Sequence, residues 1–295
     1  MMKQILVIGS EGQLGQEVKS LHKNFELAQF SFTSLESLDV TDSAKLEETI
    51  LSKSFDYIIN CTAYTAVDKA ESETELAYKI NSDALTIIGR TASNIGAKVI
   101  QVSTDYVFDG TAHQPYCETD PTSPQSVYGA SKLDGEQKLM NNNPESIIIR
   151  TSWLYSSYGN NFVKTMIRLG TEREELGVIF DQIGTPTYAG DLAETILHII
   201  KTDIDASIPF TSGIYHYSNE GVASWYDFTL AIHREKEITC KVKPIETKDY
   251  PTPAPRPNYS VLNKSKIKKQ YNIEIPYWLD SLSKCLLVMD LNMNI

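Results

Sequence analysis

Tyr128 and Lys132, in Tyr128-Gly-Ala-Ser-Lys132, stand four residues apart. If the stretch opens a helix, that spacing puts the phenol and the ammonium side by side on one face. Such a pair suits a reaction in which a carbonyl oxygen takes up a proton while its carbon takes up hydride. A free phenol titrates near ~10, and an adjacent cation is expected to lower that value by stabilising the phenolate. The same spacing also describes a half-buried tyrosine beside a solvated lysine, so the rest of the chain has to supply the partners.

Gly9, Gly12 and Gly15 form a G-x-x-G-x-x-G pattern, one residue wider than the G-x-G-x-x-G dinucleotide fingerprint. They follow Gln4-Ile-Leu-Val-Ile8, a continuously apolar run that reads as a strand buried on both faces, and they precede a helix over Gln16–Leu21. Glycines at this junction permit a tight turn and close backbone approach. The N–H groups they free, with the helix N-terminus, attract a pyrophosphate. Thr104 and Asp105 follow a strand ending at Val102, which sets them at a carboxyl edge where open α/β sheets bind ligands. Threonine and aspartate there also suit simple ST- and Asx-turns. Ser103 is the rival to Thr104, because neighbouring strand residues face opposite ways.

The elements needed to position these groups can be read in order. Strands are expected at Glu26–Ser31, Asp56–Asn60, Lys98–Val102 and Ser146–Arg150. Helices are expected at Asp42–Leu51, with Thr41 or Asp42 as cap, and at Glu73–Asn94, ended by Gly96. Ala189–Lys201 reads as a helix rejoining this layer, and Tyr250–Pro257 as an extended loop. Alternating strands and helices predict an α/β fold, a Rossmann-type doubly wound parallel sheet with a smaller C-terminal substrate-binding lobe. The expected division is residues 1–150 for the NAD(P)-binding domain, with a return near 187–217, and 151–295 mainly for the substrate-binding lobe.

The chain has 295 residues, enough for one large or two modest domains, and a formal charge of −11. That balance argues against a nucleic-acid or membrane-surface protein, though a local basic pocket can still hold an anion. Cys61, Cys117, Cys240 and Cys285 are far apart, and neither they nor the five histidines show metal-ligand spacing. His216 is expected only to fill a strand position. With neither signal-peptide features nor a long apolar run, the chain is expected to be cytoplasmic.

Six stretches occur together with the glycine and Tyr-x-x-x-Lys motifs: Asn60-Cys-Thr-Ala-Tyr-Thr-Ala-Val-Asp68, Ser103-Thr-Asp-Tyr-Val-Phe-Asp-Gly110, Arg150-Thr-Ser-Trp-Leu-Tyr155, Asn161-Phe-Val-Lys-Thr165, Asp181-Gln-Ile-Gly-Thr-Pro186 and Arg256-Pro-Asn-Tyr-Ser-Val-Leu262. In this order they resemble the extended short-chain dehydrogenases/reductases and, within them, the dTDP-4-dehydrorhamnose reductase family. The resemblance covers roughly residues 5–262.

It implies that Tyr128 donates the proton, that Lys132 orients it and bonds the nicotinamide ribose, and that Thr104 supplies the hydroxyl beside the reacting oxygen. It implies an NADPH or NADH site made by Gly9, Glu11, Gly12, Gln13, Leu14, Gly15, Asp39, Val40, Ala63, Tyr64, Thr65, Val102, Tyr128 and Lys132. Thr104, Asp105 and Trp153 would face a nucleotide-sugar substrate, a 4-keto-6-deoxyhexose on dTDP. The resemblance admits a homodimer. The end of the second strand, Gln29-Phe-Ser-Phe32, offers neither an acid for a ribose 2′-hydroxyl nor an arginine for a 2′-phosphate, so the sequence leaves NADH and NADPH open. Two other readings stay beside the first: a related nucleotide-sugar 4-ketoreductase, and a non-catalytic NADP-binding subunit resembling the regulatory subunit of methionine adenosyltransferase.

Overall fold

In the computed structural model, described over residues 2–293, the apolar runs become parallel strands of one sheet. They are β1 Lys3–Ile8, β2 Ala28–Thr33, β3 Tyr57–Asn60, β4 Lys98–Thr104, β5 Ile147–Thr151 and β6 Gly213–His216. Their spatial order is β6-β5-β4-β3-β1-β2, and every neighbouring pair runs parallel. The order reverses between β1 and β3, which places the ligand crevice at the carboxyl ends of those two strands.

Alternation of side chains sorts the strands onto two cores. On one face Ile5, Val7, Ile59 and Ile149 pack with Leu14 and Val18 of α1 Gln13–Leu21 and with Leu192, Ile196 and Ile200 of a later helix, Ala189–Ile204. On the other, Leu6, Ile8, Ile58 and Ile148 pack with Leu46 and Ile50 of α2 Ser43–Leu51, Leu85 and Ile88 of α3 Ala84–Ile95, and Leu139 of α4 Val127–Asn142. Asp42 caps α2, its side chain accepting from the Lys45 N–H. β2 lies two residues later than the sequence predicts: its alternation of Ala28, Phe30 and Phe32 with polar residues is the mark of a one-sided edge strand, not of a buried run.

The helix expected over Glu73–Asn94 is interrupted. Thr74–Tyr78 and Ala84–Ile95 are α-helical, and Lys79–Asp83 between them is a π-helical turn. The extra residue lets buried Asn81 reach the loop after β3. Its Oδ1 accepts from the Tyr64 N–H at 2.8 Å, and its Nδ2 donates to the Tyr64 carbonyl at 3.2 Å and to Ser131 Oγ at 3.0 Å. A π-turn inside a helix at such a place is a recurrent mark of a functional site. Gly96, at φ 70°, ends α3 as predicted.

A third core belongs to the C-terminal lobe. Val163 and Met166 of α5 Phe162–Glu172 meet Leu176, Val178, Phe228 and Ile232 of Trp225–Glu235, and Leu282 and Cys285 of Trp278–Met293. The longest strands here, Glu175–Ile179 and Lys241–Ile245, pair in parallel. The four cysteines carry no disulfide. Among the described residues no helix is long and apolar enough to cross a membrane.

Candidate active site

The glycine loop separates into two jobs. Gly9 takes φ 82° at the end of β1, a left-handed conformation that favours glycine. A Cβ on Gly15 would come within 2.6 Å of the Ser10 Cα, so the loop can close on α1 only with glycine there. Gly12 is different: a Cβ there would meet nothing nearer than the Gly9 carbonyl oxygen at 3.6 Å. It is the N-cap of α1 and no side chain caps that end. The first N–H groups of α1 are therefore available to an anion.

Three more of the expected cofactor residues, Glu11, Gln13 and Leu14, belong to the same stretch. Exposed Glu11 takes a 3.1 Å bond from Gln16 Nε2, Gln13 Oε1 accepts from Asn161 Nδ2 at 3.1 Å, and Leu14 turns its side chain into the core. Asp39 Oδ1 accepts from the Thr41 N–H at 2.9 Å, a bond that holds its carboxyl below the ordinary range, while the Val40 side chain is buried. Ala63, Tyr64 and Thr65 form the loop that Asn81 secures. β2 ends at Thr33, and the turn beyond it is closed by hydrogen bonds between Ser34 and Ser37.

α4 brings Tyr128 and Lys132 to the carboxyl end of β4. Ser126 caps the helix by accepting from the Gly129 N–H, and Gly129 leaves no room for a side chain against the Tyr106 carbonyl. Lys132 is 3% exposed, and its Nζ donates to the Val102 carbonyl at 2.7 Å. Burial pushes its pKa down to about 8, opposed by the charge of Glu136. Glu136 is itself held by Arg150 of β5 through Nε and Nη2, at 3.0 and 2.7 Å, in a buried ion pair.

Thr104, not Ser103, lies beside the phenol. Its hydroxyl donates to Asp105 Oδ1 at 3.0 Å, accepts from the Tyr106 N–H at 3.2 Å and stands near enough to the phenol to favour its ionised form. Ser103 is buried on the other side of the strand, its Oγ without a protein partner. Asp105 is 3% exposed, and burial raises its carboxyl to about 7 against the bond from Thr104. The phenol does not follow the sequence expectation. Burial pushes Tyr128 up to about 12, countered by the neighbouring Thr104 hydroxyl and reinforced by the Asp105 charge. The lysine does not offset this because its ammonium is engaged by the Val102 carbonyl and is itself desolvated. His216 ends β6 fully buried, held neutral by burial and by Arg150, with its pKa lowered to about 3.

Next to these groups opens a cavity of about 690 Å³. Trp153, Phe162, Met166 and Trp225 give it an apolar wall, and Arg173 and Arg256, with Asp68 and Glu175, make up its charged lining. Arg256 Nη2 bonds Asp68 Oδ2 at 2.7 Å, fastening the Pro-rich loop to the short helix Val67–Ala70 beyond β3. The sequence alone singles out Trp153 on this wall, but not Trp225, Gln182, Arg173 or the role of Asn81. No local spacing links those residues, although Gln182, Asp68 and Arg256 lie inside stretches that carry the family resemblance.

Residues 2–290 match the family described as RmlD substrate binding domain. The chain is 40% identical to a dTDP-4-dehydrorhamnose reductase of Aggregatibacter actinomycetemcomitans, across 95% of this chain and 97% of that protein. It is 41% identical to the enzyme of the same name from Escherichia coli K12, across 93% and 94%. Its fold superposes with a TM-score of 0.92 on the crystal structure of a Bacillus anthracis dTDP-4-dehydrorhamnose reductase in complex with NADP, at 37% identity, covering 98% of this chain and all of that one.

Proposed function

The chain belongs to the RmlD substrate-binding-domain family of dTDP-4-dehydrorhamnose reductases, and from that premise we propose how its site works. It is an NAD(P)H-dependent oxidoreductase, and it reduces the 4-keto group of dTDP-4-dehydro-6-deoxy-L-mannose to give dTDP-L-rhamnose. The observation that carries this reading is the convergence of Tyr128, Thr104 and Lys132 between an uncapped glycine-loop helix and a cavity lined by aromatics and two arginines.

The glycine loop fits a dinucleotide. Gly12 leaves its side-chain direction open and the α1 N-terminus offers free N–H groups to a pyrophosphate. Asp39, Val40, Ala63, Tyr64, Thr65 and Val102 would flank the rest, and Lys132 would bond the nicotinamide ribose. When bound, the nicotinamide supplies the hydride.

The protein supplies proton and position. A phenol near 12 is fully protonated at neutral pH, which is the state required of an acid. Its phenolate must be stabilised as it forms, and Lys132 is the cation within the helix turn that can turn from the Val102 carbonyl to do so. Thr104 fixes the phenol and offers its hydroxyl to the C4 oxygen; Asp105 and Trp153 border the sugar. Arg173 and Arg256 suit the diphosphate, which an overall anionic protein would otherwise repel. We carry a homodimer and a cytoplasmic setting as part of the same proposal, the former decided by light scattering.

The direct test is NADPH oxidation at 340 nm with the dTDP-ketosugar, compared with ketosugars on other nucleotides. Oxidation with the dTDP compound at the highest kcat/KM is expected. A clear preference for another nucleotide would transfer the assignment to the related 4-ketoreductases.

A further inference from the structure

The stretch Asp181-Gln-Ile-Gly-Thr-Pro186 and the residue Trp225 take no part in the chemistry above, yet both converge on Trp153. Trp153 has φ 48°, a left-handed conformation that a bulky side chain holds only when its surroundings over-determine it. Trp225 supplies much of that constraint. The two indoles stack with centroids 3.5 Å apart and planes within 8°. Gly184 leaves the space: a Cβ there would come within 2.6 Å of Trp153 Cε2.

Trp225 is anchored in its turn. Its Nε1 donates to Gln182 Oε1 at 3.2 Å, and Gln182 Nε2 donates to Thr247 Oγ1 at 3.2 Å. Thr247 is fixed by Asp181, whose Oδ1 accepts from its N–H at 2.9 Å and from its hydroxyl at 2.7 Å. Phe162 packs against Trp225 with ring centroids 4.5 Å apart. Trp153, Trp225, Gln182 and Phe162 all line the cavity.

We infer that Trp225 is a positioning residue for the sugar nucleotide: held by Gln182, it keeps Trp153 in its strained conformation with one indole face covered and the other left to the ligand. Gly184 and the bonds of Asp181 to Thr247 give the Asp181–Pro186 stretch its part in the same device. This inference rests on the reading of the cavity as the sugar-nucleotide site. Removing the stack lets the Trp153 backbone relax and withdraws binding surface, while Tyr128, Thr104 and Lys132 stay in place. The cost therefore falls on KM and not on kcat.

The test compares wild type with Trp225→Ala, Trp225→Phe and Gln182→Leu, measuring KM and kcat for the dTDP-ketosugar, NADPH affinity, and the coupled circular-dichroism band of the stacked indoles. Trp225→Ala should abolish the coupled band and raise KM about threefold to tenfold, the worth of one aromatic pair, with kcat and NADPH affinity near wild type. Trp225→Phe, which still stacks, should restore most of the KM, and Gln182→Leu should fall between. Loss of the band with unchanged KM overturns the inference, as does a fall in kcat and stability that phenylalanine fails to rescue. If Trp225→Ala does not fold, an unchanged KM in Gln182→Leu overturns it. A wild type inert toward the ketosugar overturns the functional reading and this inference together, whereas wild-type kinetics in a band-less Trp225→Ala overturns this inference alone.

Discussion

The proposed cofactor rim and the proposed substrate wall, which would meet at Tyr128, are built in opposite ways. The rim is made from consecutive sequence: β1, Gly9 to Gly15 and α1 follow one another, with the loops after β3 and β4 beside them. Its binding groups would be largely backbone N–H groups whose positions follow from glycine stereochemistry. The wall draws Trp153, Gln182, Trp225 and Arg256 from segments that are tens of residues apart, and it would bind through side chains held by other side chains. A site made of backbone tolerates little change in its glycines and is indifferent to much else. A site made of supported side chains can be retuned one support at a time.

The widest separation between the two regions should come from the residue at their junction. Phenylalanine in place of Tyr128 keeps the ring that packs edge-on against Tyr106 but removes the proton. Turnover should fall by ~10²–10⁴-fold, the usual worth of a general acid. Equilibrium binding of NADPH and of the nucleotide sugar should both change little. A variant that loses binding of either ligand in proportion to rate would mean that Tyr128 belongs to one region and not to the junction.

Gly12→Val isolates the rim. The backbone of Gly12, φ −74° and ψ 170°, accepts valine, and its Cβ meets no protein atom closer than 3.6 Å. The protein should fold normally while NADPH affinity falls at least about tenfold, or ~1.4 kcal/mol, because the new side chain enters the pyrophosphate seat. Fluorescence titration of the cofactor reads this directly. Undiminished affinity in a folded variant would remove the glycine loop from the binding site.

Asp105, next to Thr104, should show itself as a pH dependence of stability. Burial raises its folded-state pKa to about 7, well above the unfolded ~3.9. Its contribution is therefore fully present at pH below the unfolded value and is lost as pH rises through about 7. An amide cannot ionise, so Asp105→Asn should flatten the decline in Tm between those limits. Parallel Tm profiles for the two proteins would show that the carboxyl is not held neutral.

The same contrast explains what can be read from sequence. β1, β3, β4 and β5 are apolar runs at strand length, and the glycine loop announces itself between one of them and a helix. The start of α1 is harder to see because Gly15, a poor helix residue, lies in its first turn and is required there by contact with Ser10. The π-turn at Lys79–Asp83 has no local signature, since its cause is Asn81 reaching across to Tyr64 and Ser131. Nor does sequence reveal that Lys132 spends its charge on the Val102 carbonyl, leaving the phenol high. On the wall, Trp225 and a Gln182 in a short motif acquire meaning only when the lobe folds around the left-handed Trp153.

The central claim is that this protein moves hydride to a sugar carbon and does not merely hold a nicotinamide. Wild-type enzyme mixed with dTDP-4-dehydro-6-deoxy-L-mannose and NADPH carrying deuterium at the transferable position of the nicotinamide tests it most directly, with the product read by mass spectrometry and NMR. The account predicts one oxidised cofactor per product and a single deuterium bound to C4 of the 6-deoxyhexose. Saturable NADPH binding with all deuterium retained on the cofactor would contradict it and leave a non-catalytic NADP-binding subunit in its place.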